Sequence, residues 1–232
     1  MVINFFGKRG SGKTTVIKGQ LQDCRGPVVI IDILGNFDSA DYLQTTEISQ
    51  CIGKVREYYV REKNGEQNER KIINLKTHDY NLAIDFLSAA LWEINGGTLV
   101  LDEVDCFEFS EAPCFDQIIR YGRNHNVDII TGCRRPAELS RNITAAANKF
   151  YCFGTHEPRD IIYFQDIFGD DAVTLMRVPK YSGLFLDYDS EIQGRFKVDS
   201  QGGIHHTFER SLLTGSADAA PLEENQPLPE ES

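Results

Sequence analysis

Apolar and polar positions alternate along this chain in a recurring order: a short continuous apolar run, a turn, then a segment whose apolar residues return every three to four positions. The first run is Val2–Phe6. Residues 14–22 follow it with Val16, Ile17 and Leu21 on one helical face, and Gly26-Pro27 stops them. Residues 28–33 are branched and apolar almost throughout, as expected of a strand buried on both faces of a parallel sheet, and they carry Asp32 to its carboxyl end. From 38 to 76 the pattern weakens, with a helix predicted over 49–61, a charge-rich turn over 61–70 and a short strand over 72–75. Residues 79–94 predict a helix that buries Leu82, Phe86, Leu87 and Leu91. Strands over 98–101, 127–131, 149–153 and 181–188 come next, separated by helices over 112–124, 137–142 and 158–168, the last opened by Pro158 at the favoured first turn. Strands alternating with helices predict an α/β fold with a mainly parallel central sheet. No internal repeat is visible.

Composition narrows this picture without redirecting it. The chain has 232 residues, 41% of them hydrophobic, enough to bury one sizeable core. No window is long and apolar enough to cross a membrane, and the amino terminus opens a strand rather than a signal peptide. A cytoplasmic protein is expected, and six scattered cysteines without a C-x-x-C pair suit a reducing compartment. The net charge of −11 argues against a wholly basic nucleic-acid-binding surface. Much of it is local, however: Asp218, Glu223, Glu224, Glu230 and Glu231, interspersed with prolines, end the chain without a basic residue. A folded domain over 1–212 and a disordered acidic tail over 213–232 are expected. The densest basic stretch, Lys54, Arg56, Arg61, Lys63, Arg70 and Lys71, is interleaved with acids and fits a solvated surface at least as well as a DNA contact.

Candidate chemistry enters with Gly7, Lys8, Arg9, Gly10, Ser11, Gly12, Lys13 and Thr14, which spell G-x-x-x-x-G-K-[ST] between a strand and a helix. The glycines let successive backbone N–H groups, with the positive end of the following helix, form a nest for phosphate. Lys13 is expected to reach the β- and γ-phosphates, Thr14 to ligate Mg²⁺, and Thr15 to complete the nucleotide-binding set. Further on, Leu99-Val100-Leu101 runs into Asp102 and Glu103, the Walker B arrangement. Asp102 is expected to hold Mg²⁺ opposite Thr14, and Glu103 to orient and deprotonate a water. Asp105 and Glu108 read as ordinary surface acids. Asp32-Ile33-Leu34-Gly35 matches the D-x-x-G of GTPases, but no N-K-x-D follows.

With the loop at 7–14 and the Leu-Asp-Glu at 101–103, the stretch Ile119-Arg120-Tyr121-Gly122-Arg123-Asn124-His125-Asn126-Val127-Asp128-Ile129-Ile130 and the later Arg135-Pro136-Ala137-Glu138-Leu139 resemble the FtsK/HerA superfamily of DNA-pumping ATPases. Within it the chain looks most like the genome-packaging ATPases of membrane-containing, double-jelly-roll viruses and phages. The resemblance spans about residues 2–188. It implies a three-layer, RecA-like (ASCE) P-loop NTPase fold with an extra strand between the two Walker strands. It also implies ATP and Mg²⁺ as ligands and a homo-oligomeric ring, a hexamer, that moves double-stranded DNA. Capsid or packaging-vertex proteins are the implied partners, and the host cytoplasm, with virion association, the implied location. In that family an arginine before the fourth strand reaches the neighbour's γ-phosphate; Arg123 matches it best and Arg120 next. The family's polar sensor before Arg-Pro is replaced by Arg134, so Arg134 takes that role, or Thr131 or Cys133 does. Two other readings stand beside this one: a nucleotide or small-molecule kinase with a lid drawn from 38–76, and a non-motor P-loop assembly ATPase.

Overall fold

The computed structural model describes residues 1–66, 72–107 and 111–212. Strand β1 (Val2–Phe6) runs into helix α1 (Lys13–Gln20), and β2 (Val28–Ile31), β3 (Leu43–Thr45), α2 (Ile48–Lys63), β4 (Ile72–Leu75), α3 (Tyr80–Ile94) and β5 (Gly97–Leu101) follow. Next come α4 (Pro113–Tyr121), β6 (Val127–Cys133), α5 (Arg141–Ala145), β7 (Lys149–Phe153) and α6 (Pro158–Phe168). The chain then adds β8 (Ser182–Asp187), β9 (Ile192–Val198) and β10 (Ile204–Ser211). One sheet holds all of them in the order β10-β9-β8-β7-β1-β6-β5-β2-β4-β3. From β7 to β3 every pairing is parallel, so all the intervening helices are crossovers that cover the sheet faces. The result is a three-layer α/β P-loop NTPase fold. Strand β6 lies between β1 and β5, the extra strand that the family resemblance implies.

The continuous apolar runs follow from burial on both faces. Phe6, Ile31 and Leu101 point into one cluster with Leu87, Leu91, Phe115 and Phe164, whereas their neighbours Phe5, Ile30 and Val100 point into the other with Val16, Ile17 and Leu21. Side chains alternate across a strand, so a polar residue in these runs would be buried on one face or the other. Asn4 and Thr131 are the informative cases. They sit opposite each other in β1 and β6, and the Thr131 hydroxyl donates to Asn4 Oδ1 at 2.6 Å, a polar pair closed inside the sheet.

Three expectations change. Leu82 and Phe86 are 51% and 49% exposed, because α3 buries Ala83, Ile84, Leu87, Ala90, Leu91 and Ile94 instead. At about 100° per residue the centre of that face lies a quarter turn or more from Phe86 and Leu82. The predicted strand over 181–188 is the first of an antiparallel three-stranded meander whose two later strands, with exposed polar faces, left no apolar run. The predicted helices over 112–124 and 137–142 break into α4 followed by a tight 3₁₀ turn at Gly122–His125, and a 3₁₀ turn at Pro136–Glu138 followed by α5. In the basic stretch, Lys54 pairs with Glu57, Arg56 with Glu93 of α3, and Arg61 with Glu57 and Glu66. Arg70, Lys71, Glu108 and the tail over 213–232 lie outside the described residues. Among the described residues, no helix is long and apolar enough to cross a membrane.

Candidate nucleotide site

The site is built at the carboxyl edge of the parallel strands. Where β1 ends, the Gly7 N–H donates to Cys133 O at 3.1 Å and ties the loop's start to the end of β6. The Ser11 N–H then returns to Lys8 O at 3.2 Å, and the Val16 N–H to Gly12 O at 3.0 Å, so the loop curls directly into α1. Gly12, just before the helix, has φ 110°, and a Cβ there would stand 2.9 Å from Tyr181 Cδ1. Only glycine meets both conditions. Lys13 is 5% exposed, and its ammonium donates to Gly7 O at 2.6 Å and Lys8 O at 3.4 Å. Burial lowers its pKa, against the pull of Glu103 and Asp102.

Strand β5 carries Asp102 and Glu103 to the same edge. Asp102 is 1% exposed; its Oδ2 accepts from Thr14 Oγ1 at 3.4 Å and Asn36 Nδ2 at 3.3 Å, while Oδ1 has no hydrogen-bond partner among the described residues. Oδ1 comes so near β6 that a Cβ on Gly132 would meet it at 2.8 Å. Burial raises the Asp102 carboxyl above its ordinary value. Glu103 is the next residue, with φ 61°. That left-handed conformation costs a non-glycine residue about 1–2 kcal/mol and often marks a functional position. The Glu103 carboxylate is ion-paired with the Arg134 guanidinium, and burial raises its pKa while Lys13 and Arg134 oppose the rise. Asp105 is not a plain surface acid: its Oδ1 accepts from the Arg134 N–H at 3.2 Å and fixes the loop after β6.

Asn36, which sequence reasoning missed, reaches Asp102 because Asp32 closes the loop after β2. Its two carboxylate oxygens accept from the Asn36 and Phe37 N–H groups, both at 2.9 Å, and Asn74 Nδ2 donates to it at 3.2 Å. The GTPase-like Asp32-Ile33-Leu34-Gly35 is thus a loop anchor. Nothing in the local pattern Asp32-Ile33-Leu34-Gly35-Asn36-Phe37 marks that role.

Lys13, Thr14, Thr15, Asn36, Glu103 and Arg134, with Arg9 and Gly10, line a cleft of about 460 Å³. Lys8 and Arg9 also face an adjoining cleft of about 910 Å³, shared with Arg135 and Arg159. Thr131 is fully buried and bonded to Asn4, and Cys133 is fully buried too. Arg120 is exposed on α4 and donates to Asp116 at 2.7 Å. The Arg123 side chain is 79% exposed, 4.0 Å from Asp189, and shares its cleft with Met1, Gly97 and Asn126. Those neighbours mark the amino edge of the sheet. Lys13, Thr14, Asp102, Glu103 and Arg134 converge, whereas Arg120, Arg123 and Thr131 do not join them.

No protein-family model and no curated protein matches the sequence. Solved structures do match. The genome-packaging NTPase B204 of Sulfolobus turreted icosahedral virus 2, in complex with ATPγS, superposes with a TM-score of 0.65 at 16% identity, over 84% of this chain and 95% of that one. The DNA-packaging ATPase B204 of Sulfolobus turreted icosahedral virus gives 0.62 at 14% identity, over 84% and 95%. This chain has the fold of these viral packaging NTPases. The likeness covers nearly the whole of B204.

Proposed function

We propose that this protein is an ATP-hydrolysing motor that translocates double-stranded DNA, packaging a viral genome into a preformed capsid as a homo-oligomeric ring, a hexamer. The observation that carries the reading is the convergence of Lys13, Thr14 and Glu103 on one cleft with Asp102 buried against Thr14, and the exposed Arg123 at the opposite edge. The N–H groups of Gly10 to Thr14 and the start of α1 cradle the phosphates, and the Lys13 ammonium leaves its carbonyl partners for the β- and γ-phosphate oxygens. Thr14 Oγ1 and Asp102 fit Mg²⁺: they are hard oxygen donors within contact of each other, and Asp102 Oδ1 is buried without a hydrogen-bond partner among the described residues. Held there, such an ion would supply neutralisation of the charge on the phosphates.

Glu103 is the general base that orients the attacking water and takes its proton. Arg134 is the sensor: its guanidinium holds Glu103, and a γ-phosphate competes for it, which releases the carboxylate toward water. Thr131, bonded within the sheet, is not needed for that role. Arg123 of a neighbouring copy supplies the cation that stabilises transition-state charge, and Arg120, engaged by Asp116, stands next in line. The host cytoplasm, with virion association, is the place of action, and duplex DNA with capsid or packaging-vertex proteins are the partners.

Phosphate release with and without duplex DNA tests the reading. Hydrolysis is expected to rise with DNA, and Glu103→Gln to lower kcat by about 10²–10⁴-fold while nucleotide binding persists. Unchanged hydrolysis in that variant removes Glu103 from the chemistry. Phosphate transfer to nucleosides instead of water would make the protein a kinase.

A further inference from the structure

We infer that Tyr181 is the platform on which the base of the bound nucleotide stacks, an inference that rests on the nucleotide-site reading above. Aromatic residues of the neighbouring strands are buried: Tyr151, Phe153, Phe185 and Phe196 are 8%, 0%, 2% and 1% exposed. Tyr181 is 43% exposed, although it stands one residue before β8. Its backbone is in the left-handed region at φ 62°, a rare setting for a bulky side chain. Two hydrogen bonds hold it there. The Ser182 N–H donates to Pro179 O at 3.2 Å, and Tyr181 O accepts from the Val198 N–H of β9 at 2.9 Å.

That strained turn aims the ring at the phosphate loop. A Cβ on Gly12 would be 2.9 Å from Cδ1 and 3.6 Å from Cε1, and the ring lines the same cleft as Lys13, Thr14 and Thr15. The Lys180 ammonium lies 4.6 Å from the ring centroid. Behind it, the turn between β9 and β10 presses on the first turn of α1, so closely that a Cβ on Gly202 would fall 2.2 Å from Thr15 O. The meander therefore packs on the start of α1 and sets Tyr181 against Gly12 just before it.

Strand order supplies the direction. β5, with Asp102 and Glu103, lies on one side of β1 beyond β6, and β7 and β8 lie on the other. A triphosphate whose γ end meets Glu103 extends its nucleoside away from β5, toward β8 and Tyr181. Stacking on an aromatic ring is open to any base, because every base has a π-face. The site thus takes nucleoside triphosphates through phosphate contacts and a stacked base.

Calorimetric affinities of the full chain for ATP and for inorganic triphosphate test this. Tyr181→Asn, which tolerates the left-handed backbone, is expected to weaken ATP about 10-fold and leave triphosphate within about twofold. Tyr181→Phe is expected to bind ATP as the parent does. Equal losses for both ligands would make Tyr181 a support for the loop, and unchanged ATP affinity would place the base elsewhere; either overturns the inference. If the parent binds neither ligand, or Lys13→Ala binds both as well as the parent, the nucleotide-site reading falls and takes the inference with it.

Discussion

The two edges of the parallel sheet hold their charges in opposite ways. At the carboxyl edge Lys13, Asp102 and Glu103 are 5%, 1% and 6% exposed and lie in one another's field. At the amino edge the Arg123 side chain is 79% exposed and reaches only the rim of an ion-pair distance to Asp189. Buried charges survive only with partners, so the first set is pinned by contacts within the chain. An exposed guanidinium carries no such constraint. The difference teaches that one edge pins its charges to one another while the other leaves the Arg123 guanidinium exposed, where the proposed ring of identical subunits would use it.

Removing the cation at the amino edge is the hardest test of that comparison. Arg123→Ala is expected to lower kcat by about 10³-fold or more at nearly unchanged ATP affinity. Mixing it with Glu103→Gln subunits should restore part of the hydrolysis, because some interfaces then join an intact Glu103 to an intact Arg123. Normal turnover by Arg123→Ala alone would move the trans cation elsewhere.

The carboxyl edge is sharpened by pH. Burial raises the Glu103 carboxyl in the free protein, so the base is lost, and kcat/KM falls, at a pH above that of an ordinary glutamate. Arg134 opposes that rise in the free protein, so Arg134→Gln should carry the acid limb of the kcat/KM profile to still higher pH. A limb at the ordinary carboxylate value, unmoved in the variant, would sink the electrostatic account of this edge.

A smaller effect is expected from the support beneath the site. Asn74→Ala removes the donor to Asp32, Phe37 O and Gln44 Oε1, and should destabilise the protein by about 1–3 kcal/mol in urea unfolding. An unchanged midpoint would mean that the loop after β2 is held without it. The smallest effect belongs to Arg120→Ala: its pair with Asp116 lies on an exposed helix face, so neither melting temperature nor hydrolysis should change measurably. A large loss of activity there would exchange the roles of the two arginines.

Much of the carboxyl edge was legible in the chain. The spacing within 7–14 and the apolar run ending in Asp102-Glu103 are local patterns with a mechanism, and α6 begins where Pro158 predicted. Leu82 and Phe86 were misassigned because hydrophobicity alone does not say how a helix is rotated against its sheet. Asn74 escaped notice because a buried amide is recognisable only once its acceptors are in place, and Asn36, exposed on its loop, because its reach to Asp102 spans 66 positions of chain. Tyr181 read as one more aromatic at a strand's start, since nothing in its neighbourhood signals φ 62° or the approach to Gly12.

The sequence by itself determined the phosphate loop, the acidic pair after an apolar run, and the strand–helix alternation, because each depends on neighbours a few positions apart. Only the tertiary structure decided that Thr14 meets Asp102 across 88 positions of chain. It alone set Arg134 on Glu103, sent Arg123 to the far edge, and brought β8–β10 round to deliver Tyr181. These are long-range choices among crossovers and side-chain partners, and they are made by burial over the whole sheet rather than by any local preference.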